Sequence, residues 1–209
     1  MGKIEIEKEK LLIVEGEEDK RFFLKLLSCL PIENIQILPI GGKTKIHKNL
    51  PELVKQLNFS DVLSLGIIRD ADNDPSAAFA SVCKALENSN LPVPKAPLII
   101  AGDDLRVSVM ILPGGNRPGA LEDLCLESIK DDVAMPCVEG YSKCLAEKGI
   151  RLPTVEPSST NVAISKAKVH AFLASRQDPE KRLGEAAEAG YWDLESPVFE
   201  TVKQFLQAL

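Results

Sequence analysis

The chain opens with an alternation of short apolar runs and amphipathic stretches. Leu11-Leu12-Ile13-Val14 is apolar throughout and stops at Glu15-Gly16, which predicts a strand buried on both faces and then a tight turn. Residues 17 to 30 follow with Phe23, Leu26, Leu27 and Leu30 at helical spacing, and Pro31 ends that helix. Ile35 to Ile40 predicts a second strand, closed by Gly41-Gly42. Residues 44 to 57 predict a second helix with Ile46, Leu50, Leu53, Val54 and Leu57 on one side, Pro51 marking an interruption or restart. Val62 to Ile68 reads as a third strand running into Arg69-Asp70-Ala71-Asp72. Pro75 suits the first turn of a third helix, with Phe79, Val82, Cys83 and Leu86 as its apolar stripe.

Strands that alternate with helices predict βαβ units and a parallel sheet. Right-handed crossovers bring the C-terminal ends of such strands to one edge, where ligands of open α/β sheets bind. Pro97 to Ala101 and Arg106 to Leu112 read as two more strands joined around Gly102-Asp103, an antiparallel hairpin at the sheet edge. The Gly/Pro-rich stretch 113–119 is a loop. Beyond it the pattern is helical. Leu121, Leu124, Cys125 and Ile129 share a face, and Ser158-Ser159-Thr160 can cap a helix carrying Val162, Val169, Phe172 and Leu173. Ser196-Pro197 opens a last helix with Val198, Val202, Phe205 and Leu209 aligned. The expectation is an α/β fold in one domain over 1–209. Its core, 9–112, is a Rossmann-like, mostly parallel sheet flanked by helices, with the edge hairpin. Residues 113–209 form a mainly helical C-terminal extension packed on that core.

Composition changes this picture little. Hydrophobic residues at 44% and charged residues at 27% suit a soluble globule, and the chain is long enough to bury a core without disulfides. Five cysteines with no C-x-x-C pair argue against a disulfide framework or zinc ribbon and for a reducing compartment. The first ten residues hold no apolar signal-peptide core, and Ile6 stands where a myristoylation signal needs Ser or Thr. No apolar run approaches the ~20 residues of a membrane span. A cytoplasmic protein without membrane association is expected. The net charge of −6 argues against a simple electrostatic nucleic-acid binder, yet suits a site whose carboxylates are neutralised by bound cations.

Four carboxylates stand out by position. Glu15 ends the first strand and Asp19 lies in the first turn of the next helix. Asp70 and Asp72 end the third strand, and an extended backbone would put both on one side. All four belong to the same sheet edge. Oxygen donors of this kind suit Mg²⁺ or Mn²⁺, which hold and activate phosphate groups. Each acid also has a structural use, with Asp19 favouring a helix N-terminus and Asp72 or Asp74 capping the next helix.

Val14-Glu15-Gly16-Glu17-Glu18-Asp19, followed by Asp70-Ala71-Asp72 after a strand, resembles the Toprim domain of topoisomerases, primases and OLD-type nucleases. The resemblance covers residues 9 to 90, about two-fifths of the chain. It implies a Toprim-like core in which Glu15 moves protons and contacts metal while Asp70 and Asp72 coordinate Mg²⁺ (or Mn²⁺). Asp19 matches the additional acidic position of OLD-like members. Gly41-Gly42 and Gly119-Ala120-Leu121-Glu122-Asp123 resemble features of OLD-type and small Toprim proteins, which would make Glu122 a further metal ligand and Asp123 a secondary one. OLD-type members also use a C-terminal lysine, a role open to Lys166 or Lys168. The implied activity is a metal-dependent nuclease acting on DNA or RNA phosphodiesters, with a protein partner supplying an ATPase or targeting module. The alternative is a partner-dependent or non-catalytic module that binds nucleic acid or nucleotide.

Other chemistries fit less well. Gly42-Lys43-Thr44 opens a helix as a P-loop does, but that pattern needs glycine where Ile37 stands, so Lys43, Lys45 and Lys48 read as a solvated helix start or as positive charge near phosphate. A phosphoacceptor receiver does not call for a glutamate after the first strand. His47 and His170 read as surface residues, the cysteines as core fillers, and Tyr191 and Trp192 as packing for the C-terminal helices.

Overall fold

A computed structural model describes residues 5–150 and 160–209, apart from the side chains of 160–163. Four strands make one all-parallel sheet: β1 (Lys10–Val14), β2 (Ile35–Pro39), β3 (Ser64–Asp70) and β4 (Arg106–Leu112), in the order β2-β1-β3-β4. Among the described residues eight α-helices flank it: α1 (Glu17–Ser28), α2 (Ile46–Val54), α3 (Pro75–Asn88), α4 (Leu121–Ser128), α5 (Met135–Glu147), α6 (Thr160–Ala174), α7 (Leu183–Glu188) and α8 (Glu200–Gln207). The fold is α/β, as the alternation of patterns predicts.

Successive strand residues face opposite ways, and the core divides accordingly. Leu11, Ile13, Leu65 and Ile67 pack with Leu50 and Leu53 of α2 and with Val82 and Leu86 of α3. Leu12, Val14, Ile68 and Met110 pack with Phe22 and Phe23 of α1, and with Leu124, Phe172 and Phe205 of the C-terminal helices. The second half of the chain thus completes the layer that α1 begins. Both faces are covered, which is why the strands read as continuous apolar runs.

The pairing also fixes where a crevice opens. From β1 the chain crosses to β2 on one side, then returns to β3 on the other, so the order reverses between β1 and β3. Open α/β sheets have a crevice at the C-terminal ends of such a pair. Glu15 follows β1 there, and Asp70 ends β3.

Several local expectations change. The edge hairpin shrinks to an antiparallel bridge, Ala101 with Val107, plus the Leu98 N–H bond to the Val109 carbonyl at 2.8 Å. Leu98 has φ +66°, which breaks the extended run that Pro97 to Ala101 would need, while β4 itself runs parallel to β3. Leu57 is 74% exposed because α2 ends at Val54 and Asn58 turns the chain with φ +67°. Pro51 lies within α2 without ending it. Asp74, not Asp72, caps α3, accepting the Ala77 N–H at 2.9 Å. Of the cysteines only Cys125 is buried, while Cys29, Cys137 and Cys144 are exposed. Ser158 and Ser159, proposed as caps, lie outside the described residues. Among the described residues no helix is long and apolar enough to cross a membrane.

Helix α7 is clamped onto α1. Arg21 Nη1 donates to Glu185 Oε1 at 2.7 Å, and the Gly184 N–H donates to Glu18 Oε2 at 3.0 Å. A Cβ on Gly184 would stand 2.5 Å from the Glu18 carbonyl oxygen and 2.6 Å from Arg21 Cβ. Trp192 closes the same corner, stacked on Phe172 at 5.4 Å and donating Nε1–H to the Leu183 carbonyl at 3.0 Å. Since backbone cannot yield as a flexible side-chain tip can, Gly184→Ala is expected to destabilise the chain by about 1–3 kcal/mol. Denaturant unfolding checks this, and an unchanged midpoint would mean that α7 packs more loosely than described.

Candidate functional site

The site is built from turns that follow buried strands. The register Ile13 opposite Ile67, carried two residues on, sets Glu15 beside Arg69. The Asp70 N–H accordingly donates to Glu15 Oε1 at 3.4 Å, and Arg69 Nε stands 3.9 Å from the same oxygen. Arg69 Nε is buried and, among the described residues, has no hydrogen-bond acceptor. The N–H groups of Gly41 and Gly42 both donate to the Glu15 carbonyl, at 3.0 and 2.7 Å. With φ of +88° and +104° these glycines hold a turn that L side chains resist, and it pins the end of β1. Those N–H groups are thus not a phosphate cradle, which agrees with the missing P-loop glycine.

Two helix N-termini meet the carboxylates. Asp19 Oδ2 accepts the Gly16 N–H at 2.7 Å at the start of α1. Asp123 Oδ2 does the same for Ala120 at the start of α4, at 2.8 Å, and its Oδ1 takes the Ser165 hydroxyl of α6 at 2.6 Å. Asp70 Oδ1 accepts the N–H of Leu121, the first residue of α4, at 3.1 Å. Partial positive charge at these helix starts favours the carboxylates gathered there.

A cavity of about 560 Å³ opens at this edge, lined on its floor by Glu15, Asp19, Asp70 and Glu122. Its wall includes Lys166 and His170 of α6, and Arg182 just before α7. Five of the sequence-predicted residues therefore share one cavity. The other three stand apart. Asp72 leaves β3 with φ +51°, in an antiparallel bridge to Gly119, so the backbone is not extended there and its carboxylate turns to Lys43 Nζ at 2.8 Å. Asp123 spends both oxygens on structure. Lys168 is paired with both oxygens of Glu139 at 2.7 and 2.8 Å, whereas Lys166 Nζ lies 3.8 Å from Glu122 Oε1. Residues four apart share a helix face and residues two apart do not, which separates the two lysines. Lys43, read from the sequence as a solvated helix start or as positive charge near phosphate, pairs with Asp72, while Arg69, Arg182 and His170 are additions that strand-end logic does not reach.

The floor gathers like charge on half-buried side chains. Asp70 is held well above the ordinary carboxylate range, first by burial and then by the nearby charges of Glu15, Glu122, Asp19 and Asp72. Burial also raises Glu15, with Arg69 opposing it, and raises Asp19 and Glu122, with Lys166 opposing both. Desolvation disfavours an ionised carboxyl, and neighbouring carboxylates add to that. Among the described residues no three His, Cys, Asp or Glu side chains form a ready-made ligand group. The donors present are nevertheless hard oxygens whose mutual repulsion a divalent cation would relieve, so they fit Mg²⁺ or Mn²⁺.

Fold and site together define an α/β protein with a carboxylate-floored cavity at the topological switch of a parallel sheet. Over residues 9–209 the chain matches the family described as Protein of unknown function (DUF3226), and it belongs to that family. No curated protein and no solved structure matches it.

A carboxyl whose pKa rises on folding holds its proton more tightly in the native chain than in the unfolded one. Its burial therefore costs stability progressively as pH rises from about 4, the unfolded value. Asp70→Asn keeps an oxygen for the Leu121 N–H and removes the charge. In chelator the variant is expected to melt higher than the parent at about pH 8, the gain shrinking as pH falls toward 4. Melting curves across that range check it, and a lower Tm at the alkaline end would refute the like-charge account.

Proposed function

We propose that the chain is a divalent-metal-dependent phosphoryl-transfer protein, a Toprim-type nuclease acting on DNA or RNA phosphodiesters. The observation that carries this reading is the half-buried Asp70 carboxylate at the β1/β3 switch point, sharing one cavity with Glu15, Asp19 and Glu122. Asp70, Asp19 and Glu122 would hold Mg²⁺ or Mn²⁺, with Glu15 and Asp72 flanking. The bound cation would supply charge stabilisation to phosphate oxygens in a displacement at phosphorus.

The remaining steps belong to the chain's own groups. Burial raises Glu15 above the ordinary carboxylate range, the direction that suits a proton-exchanging group, and the Arg69 guanidinium restrains that rise. Lys43 neutralises Asp72, and Lys166 partly neutralises Glu122. These internal counterions also favour the second reading, a partner-dependent module that binds nucleic acid or nucleotide without cleaving it, because they compensate part of the acidic charge without metal.

Supercoiled plasmid, single-stranded DNA and RNA incubated with Mg²⁺ or Mn²⁺ test the first reading, with an Asp70→Ala/Asp72→Ala double variant as control. Cleavage that disappears in the double variant is expected, and Glu15→Gln should lower the rate about 10²–10⁴-fold. Equal activity in parent and double variant, or none in either, transfers the assignment to the partner-dependent module. Mn²⁺ should also raise the Tm of the parent, by about 2.7 kcal/mol of stability at a hundred times its Kd, and leave the double variant unmoved.

A further inference from the structure

The C-terminal helices contribute to the cavity a group of side chains whose chemistry is opposite to that of the floor. Lys166 and His170 are four residues apart on α6 and line the same wall. Arg182 lines it from the segment entering α7. Both His170 and Arg182 are exposed, so they are available to a ligand that enters from solvent.

Arg182 is held in place from several directions. Its own N–H donates to Glu185 Oε2 at 3.0 Å, and Glu185 is tied to Arg21 of α1 at 2.7 Å. The next residues are fixed by the Gly184 N–H on Glu18 and by Trp192 on the Leu183 carbonyl. The clamp of α7 on α1, which leaves no room for a Cβ at Gly184, therefore presents Arg182 over the floor that Asp19 of the same α1 helps to build.

We infer that His170 and Arg182, with Lys166 beside them, form an oxyanion rim that binds a phosphate group of the ligand above the carboxylate floor. This rests on the reading of the floor as a cation site, since five acidic residues line the cavity and an anion is admitted only once they are neutralised. A guanidinium presents a planar fork of donors that matches phosphate oxygens, and an imidazole adds a directional donor. A phosphate held between rim and floor touches both, so anion binding here depends on the cation. The phosphate belongs either to a free nucleotide or to a nucleic-acid strand.

Calorimetry on the full chain tests this, with dAMP and phosphorothioate-linked hexanucleotides, with and without a 5′-phosphate, as probes in Mn²⁺ or in chelator. Arg182→Met and His170→Gln are compared with the parent after their melting in chelator is shown to match it. The expected result is dAMP binding that needs Mn²⁺ and weakens about tenfold or more in Arg182→Met, as for loss of one charged hydrogen bond, with the Mn²⁺-dependent rise in Tm unchanged. Tighter binding of the 5′-phosphorylated strand than of dAMP would assign the rim to a strand, and the reverse to a free nucleotide. Parent-like affinity for every probe in both variants, with the Mn²⁺ effect intact, overturns the rim and spares the cation site. Absence of the Mn²⁺ effect in the parent overturns the cation site itself, and anion binding that persists in chelator overturns the coupling between the two.

Discussion

The Asp70 carboxylate is the point around which this molecule is arranged. It is the last residue of β3, it is half-buried, and its Oδ1 accepts the first N–H of α4 at 3.1 Å. An ionised carboxylate in that position is tolerated only with compensating donors or charge. The fold supplies some: the N-termini of α1 and α4 are aimed at the same edge, and Lys43 and Lys166 stand against neighbouring acids. Yet Glu15, Asp19 and Glu122 crowd the same cavity and raise the cost again. A chain selected only for stability would replace one of these carboxylates with an amide. Carrying four of them is a cost that the proposed cation would offset.

That arrangement follows from topology. Reversal of strand order between β1 and β3 opens a crevice at their C-terminal ends, where Glu15 follows β1 and Asp70 ends β3. The Gly41-Gly42 turn then ties β2's end to the Glu15 carbonyl, so Glu15 is fixed through its backbone while its side chain remains in the cavity. Backbone geometry also explains why Asp72 separates from Asp70. The bridge to Gly119 demands φ +51° at Asp72, a conformation that aspartate tolerates better than most residues.

Much of this was legible in the sequence, and what was not has a physical cause. Glu15 and Asp70 each follow an apolar run directly, so strand length alone places them at one edge. The two sheet faces are legible too, because Leu11 and Ile13 must oppose Leu12 and Val14. The turn at Leu98 was not, since leucine is an unlikely occupant of positive φ and nothing in Pro97 to Ala101 announces it. Leu57 was misplaced for the related reason that the helical stripe continued past the point where the backbone stopped. Choosing Lys166 over Lys168 required the phase of α6 against α4, which the Asp123–Ser165 bond sets at 2.6 Å. His170 follows from that same phase of α6, whereas Arg182 depends on how α7 seats on α1, a tertiary contact invisible to periodicity.

The two halves of the cavity therefore have different origins. Three of the floor's four acids, Glu15, Asp19 and Asp70, come from the turn after β1, from α1 and from the end of β3, where strand ends and helix starts dictate their placement, and α4 adds Glu122. The wall comes from α6 and the approach to α7, which the chain brings to the sheet only in its second half and whose placement depends on packing against both the sheet and α1. Substitution in the floor disturbs hydrogen bonds on which α1 and α4 begin, whereas exposed wall positions are changed at little structural cost. Under the proposed function, an acidic floor joined to a permissive wall would let one chemistry be kept while the ligand it meets is varied, which would place selectivity in the C-terminal helices.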